Sequence, residues 1–365
     1  MAGIVAAGFY IPRSAITSEA YRKAAGHFSG DGIAEKSVAE FDEDEITMAV
    51  AAGDRLLADV NLGMVQVLAF ATSNSVTGAA LVAEALGIDP AKARDVRGAD
   101  AGEMALAGAI EIASRDEIQT LVIAAEAPRS DPSTPEEDPL GAGAVALLVT
   151  SEGVPWSGGP GPSQSAIRRK VGDVGAASVL LSFLTTLEPS KITGDIDVTG
   201  ALKSREYVTY ERYLAMRRRA SPRGTEYSQG AYVSLPAYLS EKKARYRLVG
   251  EACTECKRVH FPPREACLGC GARSWVDIPL KRTGTVYANT VIGKGAAPSE
   301  FLEQQLATGD YATAVVELDD GPRITAMLTD VEPAAVRIGM RVRMVFRRIY
   351  AQEGFVRYGF KFAPA

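Results

Sequence analysis

Every cysteine of this chain lies in one short block, Cys253-Thr-Glu-Cys256 and Cys267-Leu-Gly-Cys270, with ten residues between the pairs. Two C-x2-C knuckles bring four thiolates together, which closes a tetrahedral Zn2+ shell and leaves no open position for water. Closed shells are structural. A redox C-x-x-C is the competing use of the motif, but two in succession favour a metal. His260 lies between the knuckles as a spare ligand, ranked below Cys253, Cys256, Cys267 and Cys270 because four sulfurs already fill the shell. Metal binding at such a site contributes on the order of 10 kcal/mol to the folding of a small element. The same block also removes a chemistry. No thiol is left over for catalysis or for a disulfide, an arrangement expected of a reducing cytoplasm.

The length of 365 residues predicts about two domains. A formal charge of -5 argues against nucleic acid as the partner of the whole chain. The start lacks the pattern of a signal peptide. No apolar run reaches the ~20 residues that cross a bilayer. From residue 1 to about 150, apolar strands alternate with small-residue helices: Gly3–Gly8, Val67–Thr72, Thr120–Ala125 and Gly143–Val149 as strands, with helices starting near Ile46, Ala79 and Ala101. This alternation predicts an α/β sheet covered on both faces. A Pro/Gly/Ser stretch over 155–165 reads as a loop, and a basic segment follows from Tyr207 to Arg223. Beyond the cysteines, five short segments alternate like strands, including Ile338–Arg347, where apolar and basic residues take turns. They predict a small β-barrel of the OB type with one positive face.

Several segments carry a resemblance. Gly3–Arg13, Gly32–Lys36 with Asp42–Met48, and Asp138–Ala144 resemble the thiolase superfamily, in particular hydroxymethylglutaryl-CoA synthases of the archaeal type. The resemblance implies a layered αβαβα sandwich in which a Glu, a Cys and a His act on a thioester. Against that pattern this chain departs at each position. Ser73 stands where the Glu belongs and Ala99, followed by Asp100, stands at the nucleophile. Asp173 replaces a site Asn. Neither His27 nor His260 falls where the family's His would, and the segment that carries that His is shortened away. Alanine cannot form a thioester, and Asp100 at the entry of a helix reads as an N-cap.

Leu248–Cys256, Phe261–Arg264, Gly284–Tyr287 and Ile338–Val342 resemble the zinc-ribbon and OB-fold modules associated with acyl-CoA enzymes, in which a helical stretch such as Ala237–Arg247 precedes the ribbon. The combined expectation is an α/β chain: a partial thiolase-like αβαβα sandwich over 1–225, a helical linker over 226–250, a rubredoxin-like zinc ribbon over 251–276 and an OB-fold over 277–365. The resemblances imply a non-catalytic accessory subunit, in a hetero-oligomer such as a heterotetramer, with a cysteine-bearing thiolase-type subunit that does the chemistry. Structural Zn2+ and a coenzyme A thioester are its expected ligands, with no nucleic acid and no membrane. Lys294, Arg343, Arg347 and Arg348 are the candidates to meet CoA phosphates. Two rival readings stand beside this one. In one, Asp100 and Asp173 form a carboxylate pair for aldol or hydrolytic chemistry. In the other, the OB barrel binds single-stranded nucleic acid.

Overall fold

The apolar runs of the N-terminal region form a six-stranded mixed sheet whose strands lie side by side in the order Ala93–Arg97, Val67–Thr72, Thr120–Glu126, Gly143–Thr150, Gly3–Tyr10 and Thr193–Gly194. In this computed structural model the chain divides into two units, Met1–Arg218 and Arg219–Ala365. Described are residues 1–57, 60–132, 134–156, 158–159, 161–217, 235–352 and 355–365. The expected domain boundary at 225, the first part of the helical linker and Arg218 to Arg223 of the basic segment lie outside them.

The first unit runs β1 (Gly3–Tyr10), β2 (Ser14–Thr17), α1 (Ser18–Ala25), β3 (Glu35–Val38), α2 (Glu45–Leu57), β4 (Val67–Thr72), α3 (Ala79–Leu86), β5 (Ala93–Arg97), α4 (Ala101–Asp116), β6 (Thr120–Glu126) and β7 (Gly143–Thr150). It continues through α5 (Gln164–Val171), α6 (Ser178–Leu184), β8 (Thr193–Gly194), α7 (Val198–Lys203), β9 (Glu206–Tyr207) and α8 (Tyr210–Arg217). β4, β5 and β6 are parallel, and β7 lies antiparallel between β6 and β1. All seven residues of β6 are buried, which explains a strand without polar alternation. Val122 and Ala124 join the cluster that contains Ala105 and Leu106 of α4 and Leu180 of α6. Ile123 points the other way, toward Gly53 of α2 and Leu86 of α3. Helices therefore cover both faces of one sheet, a layered α/β plan.

Close approach sets two of the glycines. A Cβ on Gly8 would lie 2.5 Å from the Ala52 carbonyl oxygen of α2, and one on Gly102 would lie 2.0 Å from that of Ala176. The acidic run before α2 caps it: Asp44 Oδ1 accepts from the backbone N–H of Ile46 and Thr47, and Thr47 Oγ1 accepts from Asp44 N–H. α3 stops at Gly87, whose φ of 82° lets its N–H reach the Ala83 and Glu84 carbonyls. β2, β3 and β9 form a small second sheet.

The second unit opens with α9 (Leu235–Ser240) and α10 (Lys242–Arg247), which occupy the expected helical stretch. β10 (Val249–Cys253), β11 (Val259–His260) and β12 (Trp275–Pro279) make the ribbon. β13 (Thr283–Ile292), α11 (Leu302–Thr308), β14 (Tyr311–Leu318), β15 (Arg323–Met327), β16 (Arg341–Gln352) and β17 (Phe355–Pro364) follow. Their sheet runs β15-β14-β13-β16-β17, every neighbouring pair is antiparallel, and a parallel bridge from Leu328 to Phe362 nearly closes it. That order and closure are those of a five-stranded OB barrel. A bulge between Val286 and Ala288 bends β13 so that it pairs on both sides.

Candidate functional site

The two cysteine knuckles are built alike. Cys253 ends β10, its N–H donates to the Arg258 carbonyl, and Lys257 N–H returns to the Cys253 carbonyl at 3.0 Å. In the second knuckle Cys267 N–H donates to the Ala272 carbonyl, and Gly271 N–H returns to Cys267 at 2.9 Å. The returning residue is left-handed in both, with φ of 62° at Lys257 and 76° at Gly271. Each loop thus aims two sulfurs at one point. The four ligand atoms lie within 4.8 Å of one another, with Cys253 to Cys270 at 3.6 Å and Cys256 to Cys267 at 3.4 Å. Zn–S bonds of ~2.3 Å at tetrahedral angles place sulfurs about 3.8 Å apart, so the donor set fits Zn2+.

The electrostatics agree. Burial opposes ionisation of Cys267, but the Gly269 N–H, the His260 ring and the Cys270 N–H outweigh it and hold the thiol down to about 5. Cys270 is lowered by the Ala272 N–H but raised more by the Cys253 and Cys256 sulfurs, up to about 12. Four crowded sulfurs can all be thiolates only around a shared cation. His260 is not a fifth ligand. Its Nε2 lies 3.4 Å from Cys267 Sγ, and its ring packs edge-on against Trp275 at 5.2 Å.

In the first unit, the Ser73–Asn74 turn and the segment after Asp173 converge on a residue that carries no motif, Glu126. This carboxylate ends β6 and is almost fully buried. Its Oε2 accepts from Ser73 N–H at 2.9 Å and Ala176 N–H at 3.4 Å, and its Oε1 accepts from Asn74 Nδ2. Asn74 Nδ2 also donates to Glu45 Oε1 at 2.7 Å, and Arg129 grips Glu45 with Nε at 2.6 Å and Nη2 at 2.9 Å. Burial lifts the Glu126 carboxyl above its ordinary range, although the Ser73 N–H works against that. Two backbone N–H groups converging on one oxygen are the donors that would stabilise an oxyanion in acyl transfer. Here the chain's own carboxylate takes both.

The rival carboxylate pair looks different in place. Asp173 Oδ1 accepts from Gly175 N–H at 3.0 Å and Ser178 Oγ at 3.2 Å, which ties it into its own turn. Asp100 occupies the N-cap position of α4 as expected, but its side chain accepts no cap hydrogen bond. His27 Nδ1 lies 3.1 Å from Asp138 Oδ2, far along the chain from the α4 entrance.

Of the four basic residues expected to meet phosphates, Lys294 and Arg343 are exposed and Arg348 is half-buried. Arg347 departs from the expected positive face. It is 1% exposed and pairs with Asp330 at 3.0 Å. The alternation along β16 fails because Val345, Phe346 and Arg347 are buried in succession, with Tyr246 of α10 packed edge-on against Phe346 at 5.4 Å. At Arg347 the carboxylate of Asp330 meets what the strand pattern alone leaves open to water.

These features define a zinc-ribbon and OB-fold protein that carries a layered α/β unit. Residues 240–276 match the family profile described as "ChsH2, rubredoxin-like zinc ribbon domain", and residues 275–347 match "ChsH2, C-terminal OB-fold domain". A DUF35 domain-containing scaffold protein of Methanocaldococcus jannaschii is 40% identical over 125 residues, which are 33% of this chain and 84% of that protein. The chain belongs to the family of DUF35 domain-containing scaffold proteins. Among solved structures, the HMG synthase of the curacin biosynthetic pathway is 15% identical with a TM-score of 0.47, over 59% of this chain and 88% of that one. The Ltp2-ChsH2(DUF35) aldolase is 27% identical with a TM-score of 0.29, over 37% of this chain and 98% of that one. Among the described residues, no helix is long and apolar enough to cross a membrane.

Proposed function

We propose that this chain is a non-catalytic accessory subunit of a two-component acyl-CoA enzyme that cleaves or forms carbon–carbon bonds. Its partner is a thiolase-type subunit with its own reactive cysteine, joined to it in a cytoplasmic hetero-oligomer, and the OB module holds the CoA thioester. Thiolytic cleavage of a 3-oxoacyl-CoA such as benzoylsuccinyl-CoA is one reaction of this class. That the M. jannaschii relative is a scaffold protein supports the accessory role.

One observation carries the reading. The thiolase resemblance puts Ala99 where an acyl group would be held, and the backbone N–H groups of Ser73 and Ala176 are both engaged by Glu126. A missing nucleophile could be supplied by another side chain. A polarising site filled by an internal carboxylate leaves a thioester carbonyl nothing to bind. The pair Asp100 and Asp173 is the weaker alternative, because Asp173 is committed to its own turn.

The test has two arms. The purified chain, incubated with acetyl-CoA and 3-oxoacyl-CoA thioesters, is expected to show no turnover and no mass increase for an acyl adduct. Co-expressed with a thiolase subunit from its own genome, it is expected to co-purify and to raise that subunit's activity. A covalent acyl adduct on the isolated chain would overturn the proposal.

A further inference from the structure

The second unit is basic within an acidic chain. Residues 235–365 hold 19 Lys and Arg against 14 Asp and Glu, which leaves 21 against 31 for residues 1–234. Several of the basic side chains pair with acids, as Arg341 does with Asp319 and Arg323 with Glu317. Two that share one aromatic ring do not. Arg245 of α10 and Arg357 of β17 have no carboxylate partner among the described residues, and the Nε of each is buried without a hydrogen-bond acceptor. Both lie on one ring. The Arg245 guanidinium carbon is 3.7 Å and the Arg357 carbon 4.6 Å from the centroid of Tyr238 in α9. The two cations are therefore no further apart than the sum of those distances, about 8 Å. Arg245 is fixed further. Its Nη2 donates to the Tyr238 carbonyl at 2.8 Å, and the ring of Tyr246 lies 5.1 Å away. A Cβ on Gly359 would come within 3.1 Å of Arg245 Cγ, so the missing side chain there gives the arginine its place on the strand.

Stacking on an aromatic face holds a guanidinium flat and leaves its N–H edge free to donate. Two such forks held close together repel each other, and the described part of the fold offers no acid between them. An anion with several oxygens can meet both at once, and phosphate is the group whose geometry matches paired guanidinium forks. We propose that Arg245 and Arg357, mounted on Tyr238, form a binding site for a phosphate ester or pyrophosphate group. This goes beyond the accessory role. It rests on that reading only for the source of the phosphate, which would be the nucleotide part of CoA. It also places the phosphate contact on the α9–α10 hairpin and β17, where Arg347, buried against Asp330, does not serve.

Isothermal titration of the full chain with inorganic pyrophosphate, CoA and pantetheine at low salt tests the site. Pyrophosphate and CoA are expected to bind, and pantetheine, which has no phosphate, is not. Arg245→Gln and Arg357→Gln are each expected to weaken pyrophosphate binding at least fivefold, and Arg337→Gln, which removes an exposed charge elsewhere, by less than twofold. Arg245→Lys keeps the charge but not the planar fork, and is expected to weaken binding as well. This variant guards against misfolding of the neutral ones. Zinc content and thermal midpoint, measured on each protein, confirm that it is folded. Pyrophosphate binding by the Arg245→Gln/Arg357→Gln protein within twofold of the wild type, or no saturable binding by the wild type, overturns the site. Arginine-dependent pyrophosphate binding without CoA binding upholds the site and removes CoA as its ligand.

Discussion

His260 offers the sharpest test of how the metal centre is held, because its two contacts can be separated. Its Nε2 lies 3.4 Å from Cys267 Sγ, placed to donate to that sulfur when it is a thiolate, and its ring packs on Trp275 at 5.2 Å. His260→Phe keeps an aromatic ring against Trp275 and removes only the donor. His260→Ala removes both. A hydrogen bond to a ligating atom orients it and spreads its charge, and loss of such an outer partner costs about 10- to 100-fold in metal affinity. One to two factors of ten correspond to about 1.4–2.7 kcal/mol. His260→Phe is therefore expected to bind Zn2+ about tenfold or more weakly, measured by competition with a chromogenic chelator at pH 7.5. His260→Ala is expected to lose that much and also the burial of an almost fully covered ring, which shows as a lower thermal midpoint even at saturating zinc. Wild-type zinc affinity in His260→Phe would refute the reasoning, since the ring would then only be filling space. Retention of metal by Cys256→Ser with His260 bound in its place, seen as a Zn–N distance of ~2.0 Å by X-ray absorption, would contradict the assignment of His260 as a donor to sulfur.

Three further expectations concern the first unit. Lys36 and Glu137 are each 1% exposed and 2.8 Å apart, so Lys36→Met leaves the buried carboxylate only Arg217, at 3.4 Å, and is expected to cost about 3 kcal/mol in urea unfolding. The double variant Lys36→Met/Glu137→Leu should not recover it, because it leaves the buried Arg217 without this carboxylate. Burial, with Glu43 and Asp42 adding to it, raises Glu40 to about 7. A carboxyl raised on folding contributes stability that is complete below its unfolded pKa of ~4.5 and is lost as pH rises through the folded value. Wild-type stability relative to Glu40→Gln is thus expected to fall between pH 4.5 and about 7 and to level off above; a constant difference across that range would contradict it. Finally, Ala99→Cys is expected to form no acyl adduct with acetyl-CoA by mass spectrometry, because Glu126 still holds the Ser73 and Ala176 N–H groups. An acetylated Cys at that position would show that the carboxylate yields to a substrate.

What could be read in the sequence and what could not divide along a physical line. The zinc ligands were legible because their spacing is local: each knuckle closes within five residues, by a return hydrogen bond to its first cysteine. The strands of the barrel and the buried run of β6 were legible because burial of one or both faces imposes a period. Arg347 was misplaced by the same rule. Period 2 says which residues share a face, but not what a distant segment brings to it, and here Asp330 meets the arginine. Glu126 left no trace at all. The group around it comes from residues 45, 73, 74, 126, 129 and 176, brought together only by the parallel ends of β4 and β6 and by the turn before α6. Its one signal is a charge closing an otherwise apolar strand, Thr120–Glu126, and a charge there costs several kcal/mol unless backbone donors meet it. A carboxylate at the end of a buried parallel strand therefore implies N–H groups waiting above the sheet. In this chain those donors are the Ser73 and Ala176 N–H groups, and the carboxylate that they make tolerable at the sheet end is the one that occupies them.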